Sequence, residues 1–177
     1  GSIISSEWLL PKVLETIHDA LHVYERAAYF MEAGDWLVSI LTGQLQRSSC
    51  MAGYKGTWQN PEGYLDSSIL KAIHPDLENI YRHKLAGEVQ AAGKLAGYLT
   101  EYWASKLGLT TKTKVSISMI DAHTAVVGAG VSKTNEMLIV VGTSSCHLML
   151  TNEQVLIPGI SGVVKDGIYE GLYAYEA

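Results

Sequence analysis

Apolar residues recur at helical spacing from the start of the chain. In EWLLPKVLETIHDA, Trp8, Leu9, Val13, Leu14 and Ile17 follow a 3.6-residue repeat, and Pro11 falls in the first turn, where its missing N–H is tolerated. Asp19 is placed to cap a second short helix from Ala20 to Ala28. In EAGDWLVSILTGQ, Asp35 is expected as an N-cap before Trp36, Leu37, Ile40 and Leu41, with Gly43 ending the helix.

The period then weakens. From Gln44 to Gly63, QLQRSSCMAGYKGTWQNPEG carries Ser, Gly, Asn and Pro punctuation, which predicts a long ordered loop with one turn of helix. Long loops inside domains often carry function. Helices are expected again at Asp66 to Ile73, Pro75 to Tyr81 and Thr100 to Leu107, the last ending at Gly108. After Lys114 the repeat changes to alternation. KVSISMI reads as a strand, EMLIVV and CHLMLT flank GTSS as a hairpin would, and LIPGISGVVKDGIYEGLYAY supplies further short strands. The change predicts an α/β chain, helical first and mostly β afterwards, with a boundary in the turn chemistry from Val131 to Asn135.

Composition narrows the class. Hydrophobic residues make up 47% of the 177, enough for a folded core, and charged residues only 18% with a net charge of −5. No basic footprint for nucleic acid or an acidic membrane is present. The apolar run Met137–Val141 is far shorter than the roughly 18 residues of a membrane span, so a soluble, cytoplasmic protein is expected. Cys50 and Cys146 are expected as reduced, buried small hydrophobes.

Several familiar signatures fail. GAGVSKT lacks the Gly-Lys-Ser/Thr of a phosphate loop, and neither GTSSC nor GISGV places its second Gly for a nucleophile elbow. His18 and His22 are spaced i, i+4, but no metal-binding signature surrounds them, so no metal site is expected. VVGTSSCH is more informative, because a Gly-Thr-Ser-Ser turn clusters backbone N–H groups and hydroxyls that suit a phosphate. Taken alone, an ordinary hairpin turn is the better reading. Asp121 in VSISMIDAHTAVVGAG reads either as the N-cap of the helix that follows or as an acid exposed at a strand-to-helix junction, and the two roles are compatible. An acid at a strand end with a Gly-Thr-Ser hairpin about twenty residues later is the order expected where a general base faces a nucleotide phosphate.

With EWLLPKVLETIHDA, EAGDWLVSILTG, RSSCMAGYKGTW, HPDLENI, IDAHTAVVGAGV, VVGTSSCHLML and the closing YEA, nearly the whole chain resembles the FGGY carbohydrate kinases. SSCMAGYKGTW, DAH and GTSSCH are similar to the ribulokinase branch in particular. The resemblance implies a partial actin-like, hexokinase-like ATPase fold with two domains closing over a cleft. It implies ATP and Mg²⁺ as cofactors and a small sugar, L-ribulose, whose C5 hydroxyl would take the γ-phosphate. Asp121 matches the catalytic base, Lys55 and Glu176 match sugar-contacting positions, and Gly142, Thr143 and Ser144 match the phosphate-cradling hairpin.

The chain departs from the family pattern at Ser118 and Asn135, where Gly is usual, and it contains neither the Asp-x-Gly-Thr phosphate loop nor the Gly-rich adenosine site. It is therefore expected to be a middle piece, inactive alone. Residues 1–2 read as a vector scar, 3–131 as the end of the sugar-binding domain and 132–177 as the start of the ATP-binding domain. A piece cut from a closed domain leaves apolar area uncovered, so homo-oligomeric association is expected. A kinase for another pentulose or pentitol, and a non-catalytic actin-like sugar-binding module, stay open.

Overall fold

The computed structural model describes residues 4–177, so the expected scar at Gly1 and Ser2 lies outside the described residues. Helix α1 (Leu9–Asp19) buries Leu10, Val13 and Ile17, the narrow stripe of a one-sided helix. Asp19 ends α1 and caps nothing, because α2 (Leu21–Arg26) starts behind Ala20, whose side chain has no acceptor. In α3 (Ala33–Thr42) the cap position belongs to Glu32, and Asp35 is a buried residue of the first turn. The expected Asp35 cap fails because its carboxylate is drawn into a tertiary contact: Oδ1 accepts from the Ser48 N–H at 2.9 Å. Gly43 ends α3 as expected, in the left-handed conformation that glycine adopts without a Cβ penalty.

The predicted loop from Gln44 to Gly63 is largely regular. Strand β1 (Gln46–Ser48) leads directly into α4 (Ser49–Gly56), an eight-residue helix in which every residue but Lys55 is buried. Its Ser and Gly content reads as loop chemistry, yet small residues are what a helix needs to be surrounded on all sides. Further on, α5 (Ser67–Ile73) is capped by Asp66, which accepts from the Ser68 N–H. The expected helix after Pro75 is split into a single 3-10 turn (Pro75–Leu77) and α6 (Ile80–His83).

Besides β1, two more strands fall where none is expected: β2 (Glu88–Gln90), parallel to β1, and β3 (Leu95–Tyr98), antiparallel to β4 (Lys114–Ser116). Between β3 and β4 runs α7 (Glu101–Leu107), with Thr100 as its cap and Gly108 at its end. Then come α8 (Asp121–Gly128) and four strands, β5 (Met137–Val141), β6 (Ser145–Thr151), β7 (Gly162–Lys165) and β8 (Tyr173–Glu176), in the antiparallel order β5-β6-β8-β7. β5 alternates as its sequence predicts, with Leu138 and Val140 inward and Met137, Ile139 and Val141 exposed. Asn135 adopts φ +66°, a left-handed conformation that Asn tolerates better than most residues.

Three apolar clusters hold these elements. α1, Tyr24, Leu70, Leu77, Ile80 and Leu85 form one, and Val38, Ala96 and Ile117 form a small one under β3 and β4. The third joins Cys50 and Tyr54 of α4 and Val126 of α8 to Leu148, Leu150, Val164 and Ala174 of the four-stranded sheet. Thus α4 and the sheet share a core, although they lie on opposite sides of the turn at residues 131–135. Among the described residues no helix is long and apolar enough to cross a membrane.

Candidate active site

Asp121 is the first residue of α8, one position past the cap site, which Ile120 occupies. The expected cap role is therefore corrected by one residue. Its Oδ1 accepts from the Ala122 N–H at 2.8 Å, and the side chain stands exposed at the helix head. A carboxylate there is favoured by the unpaired N–H groups of the first turn.

Two residues further along, His123 turns the other way and is 0% exposed. Its Nε2 lies 3.6 Å from Glu176 Oε2, and its ring sits 4.3 Å from that of Tyr54. Burial, with the Lys55 charge adding to it, lowers the imidazole pKa to about 4 against an opposing pull from Asp121, so His123 is neutral at pH 7. Glu176 ends β8 half-buried, and its other oxygen, Oε1, is 4.0 Å from Cys146 Sγ. Burial raises the Glu176 pKa, and the Lys55 charge works against that rise.

Lys55 connects this group to α3. Burial likewise raises the pKa of Glu32, and Lys55 and Arg47 both oppose it. One ammonium group therefore acts on carboxylates from two different parts of the chain, which places Lys55, Glu176, Glu32, His123 and Asp121 in one electrostatic neighbourhood. Cys50 is fully buried as expected, whereas Cys146 is only partly so and faces Glu176. The expectation of two inert buried thiols holds for Cys50 alone.

The hairpin Gly142–Thr143–Ser144 joins β5 to β6, with the Gly142 N–H donating to the Ser144 carbonyl at 2.9 Å, and all three residues are exposed. A Cβ on Gly142 would meet only the Ser144 carbonyl oxygen, at 3.8 Å, so the outer side of the turn is open. At the hairpin base, two positions past Ser144, burial and then the Glu176 charge raise the Cys146 pKa, with a smaller push from Asp121 and an opposing pull from Lys55.

Ser118, the other departure, is used structurally. Its hydroxyl lies 3.3 Å from Asp35 Oδ1, and its carbonyl accepts from Ser48 Oγ at 2.6 Å. A cavity of about 420 Å³ opens beyond the end of α4, between Thr57, Asn60, Tyr64, Asp66 and Tyr173, and no predicted site residue lines it. Sequence reasoning missed Glu32 and His123 as individual residues. Both sit inside quoted motifs, EAGDW and DAH, but periodicity carries no mark of a buried charge.

No protein-family profile matches the chain. All 177 residues align at 44% identity with ribulokinase from Bacillus licheniformis and at 43% with ribulokinase from Staphylococcus aureus, covering 32% of each of those proteins. Among solved structures, a xylulose kinase from Rhodospirillum rubrum superposes with a TM-score of 0.77 at 17% identity, over 98% of this chain and 34% of that one. A Plasmodium falciparum glycerol kinase with ADP gives 0.78 at 15% identity, over 100% and 35%. The chain thus spans about a third of the length of the proteins it matches. Within that third, the expected resemblance and the expected actin-like sugar-kinase fold both hold.

Proposed function

We propose that this chain is the part of an FGGY sugar kinase that carries the catalytic base, and that the whole protein transfers the γ-phosphate of ATP, with Mg²⁺, to the C5 hydroxyl of L-ribulose. The observation that carries the reading is the exposed Asp121 carboxylate at the head of α8, whose charge acts on His123 and Cys146 together with that of Lys55. Together with the alignment to ribulokinases over the whole chain, it supports a kinase over a bare sugar-binding module.

Phosphoryl transfer needs positioning and charge stabilisation more than covalent help. With Oδ1 of Asp121 held by the Ala122 N–H, Oδ2 is left to orient the sugar hydroxyl and accept its proton. Lys55 and Glu176 hold the sugar from opposite charges, the ammonium donating to hydroxyl oxygens and the carboxylate accepting from hydroxyl protons. The open outer side of the turn, with the Thr143 and Ser144 hydroxyls, fits an approaching phosphate, the Gly142 N–H itself being held by the Ser144 carbonyl. Mg²⁺ would be held mainly by the phosphate oxygens of ATP with one or two carboxylates, as is usual for that ion. Bound there, it would neutralise developing charge on the phosphates.

We place the domain boundary at residues 131–132, with Lys55 and Asp121 before it and the Gly142–Ser144 hairpin and Glu176 after it. The 177 residues alone are proposed to be inactive, because they contain only one of the phosphate-binding segments. The test is coupled detection of ADP with L-ribulose, D-ribulose, ribitol and xylulose, run on the full-length protein and on this chain. The expected result is highest kcat/KM with L-ribulose in the full-length protein and no turnover in the chain. Preference for another sugar, or turnover by the chain, overturns the corresponding assignment.

A further inference from the structure

His123 is a fully buried imidazole with no hydrogen-bond partner on either ring nitrogen among the described residues. Leaving such a group unsatisfied is costly, so a buried polar side chain in this state marks a contact yet to be made. The fold sets one carboxylate beside it. Glu176 Oε2 lies 3.6 Å from Nε2, slightly beyond hydrogen-bond length, and the opposite carboxylate oxygen faces the Cys146 thiol. Tyr54 backs the ring at 4.3 Å and is itself buried, so the imidazole has little freedom to turn away from Glu176.

We infer that His123 is a positioning residue for Glu176: its neutral imidazole carries the proton on Nε2 and donates it to Oε2, holding the carboxylate in the orientation that meets the sugar. The sugar part of this inference rests on the proposed role of Glu176. A neutral donor suits the task. It fixes a carboxylate without cancelling its charge, and so leaves Glu176 ionised and able to accept from sugar hydroxyls. The groups facing the pair are Tyr54 and Lys55 from α4, Asp121 from α8 and Cys146 from β6. Of these, Lys55 favours the neutral imidazole and the ionised carboxylate together, so the α4 charge supports both halves of the contact. Asp121 and His123 lie two residues apart on α8, so one short segment presents the base outward and the positioning group inward.

The test uses carbon NMR of glutamate-labelled chain to follow Glu176 through a pH titration in the wild type, His123→Leu and His123→Gln. A donor to the ionised form lowers a carboxyl pKa, so His123→Leu is expected to raise the Glu176 midpoint by about one pH unit. His123→Gln, whose amide can donate from nearly the same place, is expected to stay close to wild type. An unmoved midpoint in His123→Leu, or equal shifts in both variants, overturns the inference. Nitrogen NMR of the unaltered chain gives a measurement free of folding effects: protonated Nε2 with bare Nδ1 supports it, and the opposite tautomer overturns it. In the full-length protein, His123→Leu is expected to raise KM for L-ribulose roughly tenfold with kcat nearly unchanged, and His123→Gln to restore it. If Glu176→Gln leaves that KM unaltered, the sugar role of Glu176 fails, while a shifted titration in His123→Leu still upholds the pairing itself.

Discussion

The Tyr54 hydroxyl of α4 donates to the Ala174 carbonyl of β8 at 2.6 Å, and both residues are buried. The bond ties the last buried turn of a helix in the first half of the chain to a strand 120 residues later. It also sets Tyr54 under His123, with Lys55 next along the helix.

Removing that hydroxyl leaves a buried carbonyl without its donor. Tyr54→Phe is expected to lower stability by about 1–3 kcal/mol while keeping the ring contact with His123. Urea unfolding followed by circular dichroism checks this, and an unchanged midpoint would show that the bond contributes nothing.

α4 approaches β7 so closely that a methyl group has no room. A Cβ on Gly53 would lie 2.3 Å from Val164 Cγ1 and 2.8 Å from Cγ2, and Val164 is itself buried. Gly53→Ala is expected to cost roughly 1–3 kcal/mol, against the gain alanine normally gives inside a helix. The double change Gly53→Ala, Val164→Ala frees the space, and in a thermal-unfolding cycle the two substitutions should be less damaging together than their sum.

Asp35 sets a pH dependence. Burial raises its pKa from 3.8 to about 6, only partly offset by the Ser48 N–H, the Arg47 charge and the Ser118 hydroxyl. An acid whose folded pKa exceeds its unfolded value binds its proton more tightly when folded, so stability falls as pH rises from about 4 to about 6. The size is roughly 2–3 kcal/mol across that window. Asp35→Asn, which keeps an oxygen acceptor for Ser48, should flatten the wild-type decline in denaturation midpoint between those pH values. An identical pH profile in the two proteins would refute the assignment.

For the chemistry, Asp121→Asn in the full-length protein is expected to reduce turnover of L-ribulose at least ~100-fold, the low end of what a positioned base contributes. Because Asp121 is exposed and, among the described residues, its side chain bonds only to the adjacent N–H, the fold should be unaffected. Turnover within a few-fold of wild type, with unaltered circular dichroism, would remove Asp121 from the base position.

Legibility followed the range of the signals involved. The stripe of Val13 and Ile17, the ends at Gly43 and Gly108, the helix start at Asp66 and the β5–β6 hairpin are local, set by spacing, a glycine φ or a side chain meeting the backbone two residues on, and all were readable. The losses were at α4, whose Ser and Gly residues look like loop chemistry until the sheet that covers them is known, and at β2, which pairs with β1 some forty residues away. Asp35 misled for the same reason: a favoured cap residue in sequence, it is claimed by Ser48, which no local pattern could announce.

The sequence by itself determined the period of each half, the likeness to sugar kinases and the identities of Asp121, Lys55, Glu176 and the Gly142–Ser144 turn as candidates, because each is carried by neighbouring residues. Tertiary structure alone decided that Lys55 and Glu176 feel each other's charge, that Glu32 joins them, and that His123 is sealed between Tyr54 and Glu176. Desolvation and charge coupling depend on what surrounds a group in space, and for these residues the surroundings come from helices and strands far apart in the chain.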